Sequence, residues 1–278
     1  MFEGILINAG VSWAILGLAA LGGLLSERSG IINIALEGKM LTAASVSAAV
    51  GIQTGSAIYG LLAGVVVAIV LSLTHYALTQ AYKLDHIVSG MALNFFALGA
   101  TNFLGSRIPA SSGVAVFPGS AFTAALLFGA LLVALIMVRS RFGLRLLATG
   151  NDPEKAREVG ILTHQVRLQA MVFTGVFCGL SGVAVMSNIA GFSDRMTAGQ
   201  GYIALAALIV SEWKPVRVVV VTLVFALFQA VQIQMQGKPV FGVELPSEFW
   251  SSLPYLVTLL ALGGLLGKVR PPRGLGQP

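Results

Sequence analysis

Apolar runs long enough to cross a bilayer alternate with short polar breaks along almost the whole chain. A helix needs roughly 20 predominantly apolar residues to traverse about 30 Å of hydrocarbon. Stretches that meet or approach that length are 5–25, 33–51, 57–82, 86–104, 121–138, 166–189, 216–236 and 253–266. A further segment, GYIALAALIVSEW at 201–213, is apolar but short and reads as a tilted or half-length helix. The pattern predicts an all-α polytopic membrane helix bundle of about 8–9 transmembrane helices, forming one domain over 1–278.

The polar breaks carry the candidate chemistry. Between the first two spans runs SERSGIINIALEGKM, residues 26–40, and charges and amides so close to hydrocarbon are costly enough to mark a functional segment. Asn33 and Glu37 stand four apart, on one face near the inner end of the second span. Two readings stay open for this structural or gating pair: bracing an inner gate through Arg28 or Lys39, or capping and anchoring the helix at the interface.

In the fourth span Asn94 and Thr101 share a face two turns apart, Asn102 borders it, and Phe95 and Phe96 add an aromatic surface. Gln229, Gln232 and Gln236 form a second polar stripe at i, i+3, i+7. Asn94, Phe95, Thr101, Asn102, Gln229 and Gln232 are therefore candidates to line a solute path, the alternative being hydrogen bonds that tie helices together. Small residues at four-residue spacing, Gly60 with Gly64, Ala44 with Ala48 and Gly175 with Gly179, mark candidate close helix contacts.

Composition agrees with a lipid solvent: 56% of residues are apolar, 10% are charged, and mean hydropathy is +0.87, against about 25% charged in soluble domains. Basic residues in short loops stay on the cytoplasmic side. Arg139, Arg141, Arg145, Lys155, Arg157 and Arg167 cluster after the fifth span, and Lys268, Arg270 and Arg273 lie in the tail. Threading from these anchors puts Arg28, Lys83, Lys214 and Arg217 inside and leaves Arg107, Arg195 and Lys238 outside. That orientation requires 201–213 to cross and gives an outer N-terminus and a cytoplasmic C-terminus. The first apolar stretch lacks the basic flank and small-residue site of a cleavable signal.

The net charge of +6 is spread over membrane-proximal loops without aromatic interleaving, which speaks for topology and against nucleic acid. The lone Cys178 sits mid-span, and His75, His86 and His164 are scattered without metal-ligand spacing; only His86 beside Asp85 makes a pair, and a short inner loop accounts for it. Trp213 ends the short segment as an interfacial belt residue, and the glycine-rich 191–201, with Asp194 and Arg195, reads as a flexible outer loop that meets a binding protein or merely connects.

The inner loop 139–165 has the clearest local design. Asp152 is a good N-cap, Pro153 suits the first helical position, Glu154 suits the positive end of the helix dipole, and Gly160 is able to close the helix in the left-handed region. A surface helix of about two turns over 153–159 follows, serving either as a partner-docking element or as a solvated connector.

Four blocks, GLLSERSGIINIALEGKMLTAA, DHIVSGMALNFFALGATNFL, FGLRLLATGNDPEKAREVGI and MTAGQGYIALAALIVSEWKP, in this order and spacing, resemble permease subunits of ABC importers of the branched-chain amino acid and ribose type. Within that group they are most similar to the nucleoside branch, which works with lipoproteins of the basic-membrane-protein type. The resemblance runs over about 17–215. It implies a prokaryotic cytoplasmic-membrane importer with a second homologous permease, a cytoplasmic ATPase and an extracytoplasmic binding lipoprotein. It also implies that the inner-loop helix, through Asp152, Pro153, Glu154, Ala156, Arg157 and Gly160, is the coupling helix on the ATPase.

The resemblance implies no cofactor in this chain, ATP being hydrolysed by the partner. GGLLGKV at 263–269 lacks the first glycine and the Ser or Thr of a phosphate-binding loop. Rival readings are a sugar permease of the same importer type, an ion-coupled secondary transporter, which would need mid-span titratable groups and matched halves, and a membrane enzyme, which would need a catalytic cluster that the scattered histidines do not supply.

Overall fold

Leucine, alanine and methionine side chains fill the core of the helix bundle, and polar and small residues are buried among them. The structure, a computed structural model, describes residues 2–108, 114–237, 239–240, 243–244, 246–260, 263 and 271–277. Helix α1 spans Phe2–Arg28. Helix α2, Leu36–Thr54, is enclosed by protein along most of its length, with Lys39, Ser45 and Ser47 inaccessible to solvent. Its hydroxyls bond their own helix: Thr42 donates to the Gly38 carbonyl at 2.6 Å and Ser45 to that of Leu41 at 2.9 Å, a pairing that removes the cost of burying them.

Around α2 stand α3 (Ala57–Tyr76, continued by a π-helical turn at Ala77–Ala81), α4 (His86–Gly105) and α8 (Thr163–Ile189), while α5 (Gly119–Arg139) and α10 (Pro215–Met235) pack against α1. With α1, these are the six helices among the described residues that are long and apolar enough to cross a membrane, so the protein is a multi-pass membrane protein. The predicted 8–9 spans resolve into these six, the polar and protein-enclosed α2, the half-length α9 (Gln200–Val210) and α11 (Ser247–Leu260). Residues 261–262 and 264–266 of the predicted 253–266 span, like most of the 263–269 segment, lie outside the described residues. A two-residue antiparallel pair, β1 (Pro239–Val240) with β2 (Val243–Glu244), joins Pro239 to Glu244 and Val240 to Val243 before α11.

Two short helices fill the inner loop. Helix α7, Pro153–Glu158, stands where the capping pattern places it. Helix α6, Arg141–Asn151, is additional: Ser140 caps it by accepting from the Gly143 amide at 2.9 Å, and Gly143, Leu146, Thr149 and Gly150 form its buried face. Its short length and two arginines, Arg141 and Arg145, hid that amphipathic face from a search for membrane spans.

The small-residue pairs are contact points. A Cβ on Gly60 or Gly64 would lie 2.8 Å from the carbonyl of Ser47 or Ala43 on α2, and one on Gly175 or Gly179 would lie 2.5 or 2.7 Å from the Cα of Ile69 or Val65 on α3. Ala44 and Ala48 are fully buried in the core. Helices α2, α3 and α8 thus meet with their backbones nearly touching, which dispersion favours where no hydrophobic effect acts between helices in lipid.

At the end of the bundle that carries Arg28, segment 271–277 crosses between elements. The Gly274 amide donates to the Gly150 carbonyl of α6 at 2.9 Å, and the Gly276 amide donates to Gly30 at 2.8 Å. The buried Arg167 of α8 donates to the carbonyls of Ser29 (3.1 Å) and Gln277 (2.9 Å), and to the Gln80 side chain. The Asp85–His86 pair has structural uses: Asp85 caps α4 by accepting from the Ile87 and Val88 amides, and His86 accepts from the Ile32 amide. No cluster able to hold a metal ion occurs among the described residues.

Replacing Gly179 by Ala should destabilise the protein by about 1–3 kcal/mol through overpacking. Gly99→Ala, on α4 with nothing within 4 Å of the new methyl, should be neutral or stabilising by about 0.5–1 kcal/mol. Thermal unfolding of both variants in mild detergent checks the contrast.

Candidate functional site

A break in the backbone builds the site. Helix α8 has 27 residues, about 40 Å at 1.5 Å per residue, and so spans the full hydrocarbon core. The chain then returns through 190–199 without regular secondary structure before α9, whose 11 residues rise about 16 Å, half a membrane. Backbone N–H groups at such a break need partners, because lipid supplies none.

Glu37, in the first turn of α2, supplies them. Its Oε1 accepts from the Thr197 hydroxyl at 2.6 Å and the Gly199 amide at 2.8 Å, and its Oε2 accepts from the Gly201 amide at 2.7 Å. A carboxylate here also meets the positive end of α9. A Cβ on Gly201 would lie 2.5 Å from the Glu37 amide, so only glycine lets α9 come this close to α2. Gly199 takes φ +81, and Arg195 (φ 52) and Ala198 (φ 45) are also left-handed, a conformation L side chains enter at a cost and one that concentrates at functional sites.

Two sequence expectations change. Glu37 braces the re-entrant loop and not Arg28 or Lys39, and Asn33 lies in the turn before α2, off its helical face. Asn33 accepts from Lys39 Nζ at 2.9 Å and donates to Ser26 Oγ at 3.0 Å, while the Arg28 guanidinium donates to the Trp213 carbonyl at 2.8 and 2.9 Å. Trp213 is not a lipid-facing belt residue: it is buried, with its indole N–H donated to the Glu27 carboxylate. A buried carboxylate needs a donor, and the indole supplies one.

Asn94 is both brace and wall. Its Oδ1 accepts from the Gly38 amide at 2.8 Å, one of the orphan N–H groups at the start of α2, and its Nδ2 donates to the Ile34 carbonyl and the Tyr202 hydroxyl, each at 3.0 Å. Beside it opens a cavity of about 320 Å³. Glu37 and Leu41 of α2, Met91, Asn94, Phe95 and Leu98 of α4, Arg195 and Thr197 of the loop, and Tyr202 of α9 line it. Asn94 is eight residues into α4, about 12 Å from its start, so the cavity lies near mid-depth.

Of the sequence candidates, Asn94, Phe95 and Glu37 converge on this cavity. Thr101, buried and bonded to the Leu98 carbonyl, and exposed Asn102 are not among its lining residues. Gln229 and Gln232 lie apart on α10, where Gln229 is buried and its Oε1 has no partner among the described residues. Thr197 and Tyr202 escaped the sequence reading, and Arg195 was read, with Asp194, only as part of a flexible outer loop that meets a binding protein or merely connects. The closely spaced glycines of AGQGY, ahead of a helix too short to cross, were the available signal.

At the Arg28 end, α7 presents a charged rim. Asp152 Oδ1 accepts from the Lys155 amide at 3.1 Å, and its Oδ2 pairs with Lys155 Nζ at 2.8 Å. That hydrogen bond and charge hold the Asp152 carboxyl below its ordinary pKa and raise that of Lys155. Pro153 and Ala156 face inward, Glu154 and Arg157 face solvent, and Arg157 Nε donates to Thr163 Oγ1 at 3.2 Å. Gly160 turns the chain at φ +83. Val159 and Leu162 beside it are 76% and 54% exposed, an apolar pair on an otherwise charged surface.

Glu37→Gln replaces one acceptor oxygen by an N–H₂ facing amide donors and should destabilise the α2–α9 junction by about 1.5–3 kcal/mol. Faster hydrogen exchange at the Gly199 and Gly201 amides, with the rest of α9 unchanged, is the expected reading. For α7, a depressed carboxylate pKa means that the capping contribution is complete above the ordinary carboxylate range. It is lost as pH falls through the lower, folded value, so the Lys155 amide should remain protected at pH values where an uncapped Asp152→Ala variant exchanges freely.

Residues 5–262 match the model of the family described as branched-chain amino acid transport system / permease component. The guanosine ABC transporter permease protein NupQ of Bacillus subtilis is 32% identical, with 94% of this chain and 91% of that protein aligned. The nucleoside ABC transporter permease protein NupC of Lactococcus lactis is also 32% identical, over 92% and 90%. The putative glucose ABC transporter permease protein TsgC13 of Haloferax volcanii is 30% identical, over 92% and 90%. An inward-facing putative metal-chelate type ABC transporter shares the fold, with a TM-score of 0.51 at 15% identity over 93% of this chain and 85% of that one. With a family match that spans nearly all of its length, the chain belongs to the permease components of the branched-chain amino acid transport type.

Proposed function

We propose that this protein is the transmembrane permease subunit of an ATP-driven ABC importer and forms the path for nucleosides. The observation that carries the reading is the capped helix α7, whose charged rim and exposed Val159 and Leu162 stand at the arginine-rich end of a bundle that is broken at mid-depth. Names of the two 32% relatives support a nucleoside as solute. The 30% relative named for glucose supports a sugar as the second reading.

In this reading the arginine-rich end is cytoplasmic and the N-terminus lies outside. A partner ATPase docks on Asp152, Pro153, Glu154, Ala156, Arg157 and Gly160 and hydrolyses the ATP; this chain holds no nucleotide site of its own and no cofactor. A second, homologous permease completes the pore, and an extracytoplasmic lipoprotein delivers the solute. No bond in the solute is made or broken. Closure of the ATPase dimer displaces α7, and the contacts from Gly150 through Gly274 and from Gly276 to Gly30 carry the displacement to the turn before α2. Lys39 and Asn33 stiffen that turn, and Glu37 at the start of α2 holds the loop ahead of α9.

Tagging this chain alone in its native operon and purifying it gently should recover a second permease and an ATPase in stoichiometric amounts. A lone chain that moves nucleoside across liposomes without ATP would overturn the reading in favour of secondary transport. Val159→Asp should reduce ATPase recovery about tenfold, equivalent to about 1.4 kcal/mol of binding, without changing the unfolding temperature of the permease itself.

A further inference from the structure

We propose that the cavity at the break before α9 holds the base of the transported nucleoside, and that it favours carbonyl-bearing bases over adenine. This rests on the nucleoside reading above and assigns the place and chemistry of recognition.

The side-chain acceptors of Asn94 and Glu37 already hold donors from the fold. The Asn94 carbonyl takes the Gly38 amide, and both amide hydrogens of Asn94 have acceptors, at Ile34 and Tyr202. Glu37 already receives three donors. Donors are what remain: the Tyr202 hydroxyl accepts from Asn94, and among the described residues nothing accepts its proton. The Arg195 guanidinium, at the other side, has no partner among the described residues and offers five N–H groups in a fixed fork. A ligand that satisfies this wall brings acceptor atoms.

The opposite wall is apolar and includes an aromatic ring. Phe95 is 67% exposed, and Met91 and Leu98 flank it. A flat base stacks on such a face whatever its sequence of ring atoms, a contact worth a substantial share of binding in other base-binding proteins. Sugars lack that flat face. Glu37 and Arg195 together leave the walls without net charge, so a neutral solute is favoured over an ionic one. The volume of about 320 Å³ lies at the small end of ligand sites and suits a base with part of its ribose.

Arginine forks pair with a carbonyl oxygen and an adjacent ring nitrogen, the arrangement guanine presents. Adenine presents an N–H₂ group where guanine presents its carbonyl, and so places a donor against donors. Uracil offers carbonyls as well. Arg195 and Ala198 both have left-handed φ, a strained loop conformation that the Glu37 bonds to Thr197 and Gly199 hold in place.

The natural Cys178 is buried, so a cysteine placed at Met91 in the complete importer can be labelled selectively. In proteoliposomes, guanosine at about ten times its Kd should slow maleimide labelling of Met91→Cys about tenfold, the ratio set by simple occupancy. Uridine should protect similarly, adenosine severalfold less, and glucose not at all. Should Met91→Cys fail to assemble, Leu98→Cys serves on the same wall. In the otherwise unmodified chain, Arg195→Gln should raise the KM for guanosine about tenfold, leave kcat little changed and narrow the guanosine–adenosine difference.

An importer that transports guanosine while neither cysteine is protected would overturn the cavity assignment and leave the nucleoside reading standing. Equal protection by adenosine, insensitive to Arg195→Gln, would overturn the base preference. An importer that carries only sugars would overturn both readings together.

Discussion

One carboxylate lets a half-length helix exist inside a membrane bundle. Glu37 binds a hydroxyl and two backbone amides at the point where the chain turns into α9, and without such a partner each unpaired N–H at that depth would cost several kcal/mol. The same bonds fix α9 against α2, place Tyr202 beside Asn94, and leave the space that becomes the cavity. A residue counted as an oddity in an apolar span is therefore the one around which the site is organised.

The remaining buried charges follow the same logic of mutual satisfaction. Glu27, Asn33, Lys39 and Trp213 form a chain of contacts that joins α1, the turn before α2 and the end of α9. Arg167 ties α8 to that turn and to the segment at 271–277. The two ends of α9 are thus held differently, by Glu37 at the break and by Glu27 and Arg28 at the far end, and both anchors belong to the α1–α2 region. Movement of that region and movement of α9 are geometrically linked.

Much of this was legible in the residues. Apolar runs located the six long spans, GNDPEKAREVG located α7 with its cap, and glycines at four-residue spacing located the contacts among α2, α3 and α8. All are local signals, set by hydropathy, capping chemistry and side-chain size. Asn94 and Phe95 were legible as polar and aromatic residues inside a span. Their roles were not, because an amide that bonds across helices and one that faces solute look alike in a sequence. Two misreadings have a physical cause: Glu37 was assigned a partner near it in the chain and Trp213 the membrane interface, whereas both find their partners across the fold.

Amino-acid order alone determined that this chain lives in lipid, where its helices run, which family it resembles and which loop bears a capped surface helix. Each follows from properties that act within a few turns of helix. Only the tertiary structure decided that Glu37 meets residues 197–201, more than 150 positions away, that α9 starts at the break it holds, and that Arg195, Tyr202 and Phe95 line one cavity. The reason is physical: a buried polar group must find a partner somewhere in the fold, but which partner depends on how the helices pack, and packing sums many weak contacts that no local pattern encodes.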